Sequence, residues 1–211
     1  MSEVFNEDYY ERGPEAGVSN FRDYRWRPEL TIPAAMASID YLDIKRGDSV
    51  LDFGCAKGYY VRAFRMLGRN AWGCDSSRYA VDQCDEEVRP FVKLCTEETP
   101  FPFARPFDYI IAKDVLEHMT EQQVTDFLNR FSDADAGTLF IIVPLAKDGK
   151  YIVPEDEMDK THIIRKTPEQ WEYLLTTYTE WDLVDFSFKV PGLKEHQTSR
   201  HANGVGFFTL E

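Results

Sequence analysis

Short apolar runs alternate with segments of helical periodicity along most of this chain. The runs that predict the first five strands lie at 48–53, 71–74, 91–95, 107–112 and 138–143. Apolar residues spaced three or four apart predict helices around these strands, at 31–42, 58–67, 77–84 and 120–131. Pro33 suits the first turn of the first of these helices. A helix that begins at Thr167-Pro168 precedes two closing strands, at 181–189 and 204–210.

This alternation predicts a seven-stranded, mostly parallel sheet with helices on both faces. The last strand should be antiparallel, because no helix is predicted between the two closing strands. The 211 residues suffice for one domain with a sizeable core, which we expect over 30–211. Residues 1–29 form an arm rich in aromatic residues, glycine and arginine. Two interpretations of the arm stay open: its rings pack on the core, or it is a flap over a bound cofactor.

The charge balance argues against one class of partner. The formal net charge is −13, and such a surface repels the phosphate backbone of nucleic acids.

The longest apolar run, at 139–143, is too short to span a membrane, and the acidic N-terminal segment lacks the apolar core of a secretion signal. Neither zinc-type spacing nor the density of a disulfide-stapled protein is found in the cysteines, Cys55, Cys74, Cys84 and Cys95. The sequence therefore predicts a soluble, cytoplasmic protein without a nucleic-acid or membrane partner.

A glycine-containing turn follows the first strand. In the segment Asp52-Phe53-Gly54-Cys55-Ala56-Lys57-Gly58, the glycines allow the backbone to approach a ligand closely. Asp75, at the end of the second strand, can accept hydrogen bonds from the two hydroxyls of a ribose. An adenosine-containing cofactor is therefore predicted. A dinucleotide site would need Gly-x-Gly-x-x-Gly, and Asp52 is unfavourable beside a pyrophosphate but suits a cationic amine.

At these residues the chain resembles the class I S-adenosylmethionine (SAM) dependent methyltransferases, and the resemblance covers most of its length. Residues 51–58 resemble the glycine-rich first motif of that family, with Ala56 in place of the usual middle glycine. Residues 107–118 are similar to its fourth-strand motif, and 139–144 followed by 167–171 are also typical. The resemblance implies a Rossmann-like fold and SAM as cofactor. The residues that it implies for cofactor binding are Asp52, Gly54, Cys55, Ala56, Gly58, Asp75, Ser76, Cys95, Thr96 and Lys113.

The resemblance also implies that the adenine lies beside the residues that follow the third strand, here Cys95, Thr96 and Glu97. Relatives usually have aspartate where Cys95 stands. The adenine amine therefore needs another acceptor, either from the backbone or from Glu97.

Candidate catalytic residues follow the fourth strand. His118 is the leading candidate for a general base, because imidazole accepts a proton near neutral pH, and Glu117 stands beside it. The alternative is that both side chains only fasten this turn by hydrogen bonds. A second polar cluster lies between the last two strands, where it could bind an acidic or polyhydroxylated substrate or be a solvated loop. Its members are Lys194, His196, Arg200 and His201.

A divalent metal ion is a further possibility. Asp114 and Glu117 would share one face of a helical turn, with His118 beside them and His162 supplied by a later segment. The set resembles the acid-x-x-Glu-His pattern of ubiquinone-biosynthesis O-methyltransferases and of small-RNA 2′-O-methyltransferases, although Asp114 is shorter than the glutamate common in relatives. The resemblance implies a metal that lowers the pKa of a bound hydroxyl.

The sequence thus predicts a SAM-dependent methyltransferase that acts on a small molecule, at an oxygen of a sugar or another metabolite. Two alternatives stay open within SAM chemistry: a SAM-binding regulatory partner without catalysis, and a metal-assisted O-methyltransferase. A nucleotide-dependent oxidoreductase is disfavoured by Asp52 and by the absent third glycine.

Overall fold

The computed structural model describes residues 4–96, 99–134 and 136–211. Its helices are α1 (Glu7–Glu11), α2 (Gly13–Ala16), α3 (Pro28–Tyr41), α4 (Tyr59–Met66), α5 (Arg78–Asp82), α6 (Glu121–Asp133), α7 (Pro168–Thr176) and α8 (Glu195–Thr198). Its strands are β1 (Ser49–Phe53), β2 (Asn70–Asp75), β3 (Val92–Leu94), β4 (Tyr109–Lys113), β5 (Thr138–Pro144), β6 (Ala146–Lys147), β7 (Lys150–Tyr151), β8 (Leu183–Ser187) and β9 (Val205–Leu210). In these ranges, no helix combines the length and the apolar composition that a bilayer crossing requires.

Seven of the strands in the described ranges form one sheet, in the order β3-β2-β1-β4-β5-β9-β8. Strands β1 to β5 pair in parallel, whereas β9 pairs antiparallel with both of its neighbours. The predicted fold class, including the antiparallel last strand, is confirmed. That strand does not lie at the edge of the sheet, because β9 inserts between β5 and β8 and leaves β8 outermost.

Helices cover both faces of the sheet, as predicted. The β1 side chains alternate between the two faces, so that Leu51 and Phe53 pack with α6 and α7 while Val50 packs with α3 and α4. All five β1 residues are buried, as expected for a central strand covered on both sides. This placement fixes the carboxyl end of β1, where the glycine-containing turn begins.

Of the helices that the structure describes, α6 and α7 begin with a capping box. The Thr120 N–H donates to Gln123 Oε1 at 2.8 Å, and the Gln123 N–H donates back to Thr120 Oγ1 at 3.3 Å. Thr167 and Gln170 repeat the arrangement at the start of α7, where the sequence predicts that a helix begins. Because these bonds satisfy N–H groups that a helix start leaves free, they fix where α6 and α7 begin.

The first long helix begins earlier than its sequence predicts. We expected a start near Thr31 with Pro33 in the first turn, but α3 begins at Pro28 and contains Pro33. Pro28 suits the first helical position because its ring presets φ, and the Thr31 N–H already donates to Arg27 O at 2.9 Å. The arm also contains the short helices α1 and α2, which its weak periodicity did not predict.

The Thr167→Ala variant should lose about 1 kcal/mol of unfolding free energy, because one partner of the α7 capping box disappears. Urea denaturation measures this loss. Thr177→Ala, at an exposed position beyond the other end of the same helix, is the matched control and should change stability by less than about 0.5 kcal/mol. Equal losses in the two variants would contradict the role of the cap.

Candidate active site

A cavity of about 750 Å³ lies at the carboxyl ends of β1 to β4. Its walls come from the glycine-containing turn, from the ends of β2, β3 and β4, from α6, and from the aromatic arm. Of the residues predicted to bind the cofactor, those that line it are Gly54, Ala56, Asp75, Ser76, Cys95, Thr96 and Lys113. The cavity therefore unites most of the predicted set.

The turn after β1 is held in the left-handed backbone region at Gly54, Ala56 and Gly58, with φ of 77°, 48° and 73°. A Cβ atom on Gly54 would come within 2.4 Å of Val115 Cγ2, so only glycine fits there. Ala56 carries a side chain in a conformation that costs an L-residue about 1–2 kcal/mol. Its N–H donates to Asp75 Oδ2 at 2.7 Å, a charge-assisted bond that offsets part of this cost.

Asp75 is buried at the end of β2, and backbone groups hold its carboxylate. Oδ2 accepts the Ala56 N–H and Oδ1 accepts the Ser77 N–H, each at 2.7 Å. Burial raises the pKa of Asp75 above its ordinary value, and the N–H donors oppose that shift. Each carboxylate oxygen can accept more than one hydrogen bond, so acceptor capacity remains on both. The carboxylate is thus held rigidly with free lone pairs, as the predicted ribose contact requires.

Asp52 does not line the cavity. It is 4% exposed, and within the described residues its carboxylate accepts no hydrogen bond. Burial raises its pKa to about 7, while the Lys113 ammonium opposes the shift. Tyr24 of the arm and Lys113 both line the cavity and interact electrostatically with Asp52. A cationic group beside these two residues would therefore stabilise the carboxylate.

The two other predicted residues that do not line the cavity have packing roles. Cys55 is buried, and its Sγ lies 2.7 Å from where a Cβ on Gly73 would stand. Gly58 is the N-cap residue that precedes α4, and a Cβ there would meet Val88 at 2.9 Å. Both belong to the framework of the turn. Glu97, the predicted alternative acceptor for adenine, lies outside the described residues.

The aromatic arm lies across the cavity, which its rings Phe5, Tyr9, Tyr10, Phe21 and Tyr24 line. Lys57, in the glycine-containing turn, holds the arm through Glu11 Oε1 at 2.5 Å and Tyr24 O at 2.8 Å. Glu11 also accepts the Tyr79 hydroxyl at 3.0 Å. The sequence did not reveal Lys57 and Glu11 as partners, because 46 positions separate them and neither belongs to a periodic pattern.

A second group of ionisable side chains adjoins the cavity. Glu117 and His118 lie on a 3₁₀ turn after β4, Leu116–His118, and His162 approaches from the segment that precedes α7. Potential ligand atoms of these three residues lie within 4.8 Å of one another. His118 lines the cavity and Glu117 does not.

Burial controls the ionisation of this group. Glu117 is fully buried, neither carboxylate oxygen has a hydrogen-bond partner among the described residues, and burial raises its pKa well above its usual range. Burial lowers the pKa of His118 to about 4, with a further contribution from His162. Burial also lowers the pKa of His162. Both imidazoles are therefore neutral at neutral pH.

Asp114 does not join this group, so the expected helical face shared with Glu117 is wrong. Its φ of 57° places it in the left-handed region before the 3₁₀ turn begins. Its carboxylate pairs instead with the ammonium groups of Lys113 and Lys194. Burial acts to raise the pKa of Asp114, but the two lysines outweigh it and hold that pKa below its ordinary value.

The polar cluster between the last two strands is only in part a loop, because α8 lies within it. Among the described residues that line the cavity, none belongs to this cluster. Lys194 is occupied by Asp114, and His201 lies 3.8 Å from Glu155. Lys194 therefore holds Asp114 beside the end of β4, the cluster adds no residue to the cavity lining, and the predicted substrate contact stays a prediction.

Comparison with known proteins identifies the relatives of this architecture. A sequence model of a family described as a methyltransferase domain matches residues 21–186, more than half of the chain. A hydroxymycolate synthase of Mycobacterium bovis is 28% identical over 113 residues, and that alignment covers 49% of this chain and 38% of the relative. The alignment thus spans well under half of the length of this curated relative.

Solved structures show the same fold at low identity. A SAM-dependent methyltransferase from Archaeoglobus fulgidus superposes with a TM-score of 0.62 at 14% identity, covering 87% of this chain and 96% of that one. The mitomycin 7-O-methyltransferase superposes with a TM-score of 0.60 at 13% identity, covering 87% of this chain and 53% of that one.

Replacing Asp75 should remove cofactor affinity while the fold persists. We expect Asp75→Asn to weaken binding of S-adenosylhomocysteine at least about 100-fold, because hydrogen bonds to a charged acceptor contribute about 1.5–3 kcal/mol each. The rise in melting temperature with added ligand measures this. The exposed Asp82→Asn is the matched control. An undiminished ligand-induced rise in Asp75→Asn would exclude the ribose contact.

Replacing Asp52 should change stability in a pH-dependent way. Its folded-state pKa, about 7, exceeds its ordinary value of 3.8, so the folded protein loses stability as pH rises between these values. The Asp52→Asn variant removes this loss. In cofactor-free protein, we expect a gain of up to about 4 kcal/mol at pH 8 and little gain at pH 4.5. Urea denaturation at the two pH values checks this, with the exposed Asp182→Asn as control, and equal gains at both would contradict it.

Proposed function

This chain belongs to the methyltransferase-domain family and is a SAM-dependent methyltransferase of class I, and we propose that it methylates an oxygen of a small-molecule acceptor. The observation that carries this proposal is that neutral His118 lines the same cavity as Asp75. A candidate proton acceptor and a candidate ribose-binding carboxylate therefore line one cavity.

The residues present fit SAM. Asp75 offers free lone pairs at the cavity wall, and buried Asp52 lacks a hydrogen-bond donor among the described residues. We propose that Asp75 binds the ribose, that Asp52 stabilises the ammonium of the methionine moiety, and that Cys95 and Thr96 border the adenine. When bound, SAM supplies an electrophilic methyl group on a positively charged sulfur.

An oxygen acceptor is favoured by the state of His118. A hydroxyl becomes a good nucleophile as it loses its proton, so a positioned base accelerates its methylation. The low pKa of His118 keeps its imidazole unprotonated at neutral pH and able to accept that proton. Glu117 lies outside the cavity lining, so we assign it a supporting role behind His118.

The size of the cavity supports a small acceptor. A space of about 750 Å³ must hold the cofactor as well as the acceptor, and the arm closes over it. The net charge of −13 disfavours a nucleic acid substrate. The similarity in fold to a mitomycin 7-O-methyltransferase gives a precedent for a small acceptor on this architecture. Sugars and other hydroxylated metabolites are the proposed substrate class.

We propose that the arm is a flap over the cofactor. Lys57 joins it to the glycine-containing turn, and Ser77 Oγ donates to Phe5 O at 2.5 Å, close to Asp75. A ligand bound along the strand ends would be covered by these arm segments, so exchange requires the arm to move. The four free cysteines suit the reducing cytoplasm, where we propose that the protein acts.

A metal-assisted form of this reaction is the second candidate. The observation that favours it is the absence of any hydrogen-bond partner for the buried Glu117 oxygens among the described residues. One carboxylate and two neutral imidazoles suit a divalent ion such as Zn²⁺ or Mn²⁺. Glu117, His118 and His162 would hold it, and it would lower the pKa of a hydroxyl bound to it.

Tritium transfer from methyl-labelled SAM tests the proposed function. Incubation with a fractionated metabolite extract should place the label in low-mass products that carry new O-methyl groups. The His118→Gln variant should reduce turnover about 100-fold and leave SAM affinity within twofold, because it removes only proton transfer. His196→Gln, outside the cavity lining, is the matched control. Label in macromolecules alone, or in nothing, would refute the proposal.

The same assay distinguishes metal-assisted catalysis from base catalysis by His118 without a metal. If a metal participates, dialysis against EDTA abolishes turnover, added Zn²⁺ or Mn²⁺ restores it, and Glu117→Gln abolishes it permanently. Full turnover in EDTA with an inactive His118→Gln variant would leave His118 acting as a base alone.

A further inference from the structure

Thr161 contacts His118 at Nδ1, and Asp159 contacts Thr161 in turn. His118 Nδ1 lies 2.7 Å from Thr161 Oγ1, and Thr161 Oγ1 lies 2.5 Å from Asp159 Oδ1. The Thr161 N–H also donates to Asp159 Oδ1, at 2.9 Å. Asp159 is only 5% exposed, so water does not compete strongly for these bonds. The three residues form one short chain that ends on the imidazole.

The direction of the hydrogen bonds along this chain follows from the number of protons available. The Thr161 hydroxyl has one proton, and the Asp159 carboxylate can only accept. The hydroxyl therefore donates to Asp159 and accepts from His118, so Nδ1 must carry the imidazole proton. In a neutral imidazole that carries its proton on Nδ1, the other nitrogen, Nε2, has a free lone pair. Among the described residues, the hydrogen bonds of the His118 ring go to Thr161, whose hydroxyl contacts Nδ1 and not Nε2.

We propose that Thr161 and Asp159 are positioning residues that hold His118 as the Nδ1–H tautomer and so present the lone pair of Nε2 to the acceptor. The effect on turnover rests on the proposed function of His118, whereas the tautomer itself does not. The opposite tautomer would point an N–H at the acceptor hydroxyl and could not remove its proton. A metal at Nε2 would need the same tautomer.

Tyr9 connects the arm to the hydrogen-bonded series of Asp159, Thr161 and His118. Its hydroxyl donates to Asp159 Oδ2 at 2.9 Å, and its ring lies 6.5 Å from the His118 ring, edge to face. The Lys160 N–H donates to Val18 O at 3.0 Å, which joins the arm to the same segment a second time. With the arm in this position, Tyr9 donates to one Asp159 oxygen and Thr161 donates to the other. The position of the arm and the orientation of His118 are therefore coupled through Asp159.

Nitrogen-15 NMR of histidine-labelled protein tests the inference directly, because protonated and unprotonated ring nitrogens resonate far apart. The sequence contains four histidines, so the His118→Gln spectrum assigns the signals of His118. In the unmodified protein we expect a protonated Nδ1 and an unprotonated Nε2. Thr161→Val should convert His118 into a mixture of tautomers, and Thr161→Ser, which keeps the hydroxyl, should restore the original pattern. Asp159→Asn should also give a mixture.

Activity gives a second readout. Thr161→Val should lower kcat about 10- to 100-fold with the KM for SAM unchanged, and Thr161→Ser should recover most of it. Tyr9→Phe should shift the tautomer balance less than Thr161→Val does. Tyr10→Phe alters the neighbouring tyrosine, whose hydroxyl does not bond to Asp159, and should leave the tautomer of His118 unchanged.

The NMR spectrum and kcat together distinguish tautomer control by Thr161 from the proposed role of His118 as a base. An unchanged His118 spectrum in Thr161→Val would overturn the inference. A changed spectrum with unchanged kcat would support tautomer control and overturn His118 as the base.

Discussion

Burial of carboxyl groups at the carboxyl ends of the parallel strands is the constraint that organises this molecule. A buried carboxylate is costly unless donors or cations surround it. Asp75 has backbone N–H donors, and Asp114 has two lysines. Asp52 and Glu117 have no hydrogen-bond partner among the described residues. The fold therefore preorganises the carboxylates of Asp75 and Asp114. A ligand that donates hydrogen bonds or carries a positive charge would stabilise those of Asp52 and Glu117.

The same constraint gives the two ends of the cavity different chemistry. At the glycine-containing turn, a rigid carboxylate with free lone pairs and a buried acid near Lys113 suit a molecule that carries both hydroxyls and a positive charge. At the other end, low polarity keeps His118 neutral, and Thr161 orients it. The arm lies across both ends, held by Lys57 at one and by Asp159 at the other. In the function that we propose, cofactor binding, proton transfer and closure of the arm therefore depend on one connected set of contacts.

The sequence predicted the fold and most of the cavity lining because those features depend on local patterns. Alternating strands and helices predicted the sheet, and the spacing of Gly54 and Asp75 predicted two neighbouring strand ends. Contacts between distant segments had no such pattern. The pairs Lys57–Glu11 and Thr161–His118 form only when the arm and the segment before α7 fold back on the strand ends. The prediction that Asp114 shares a helical face with Glu117 was wrong because it assumed helical spacing where the backbone takes a left-handed conformation.

Every role that we propose for the cavity depends on binding of SAM through Asp75 and Asp52. Isothermal titration calorimetry of the unmodified protein with S-adenosylhomocysteine measures this binding, with NADH titrated in parallel. We expect one binding site per chain with a dissociation constant in the micromolar range, about −8 kcal/mol, and no binding of NADH. No heat of binding with S-adenosylhomocysteine at millimolar concentration, or saturable binding of NADH in its place, would contradict it.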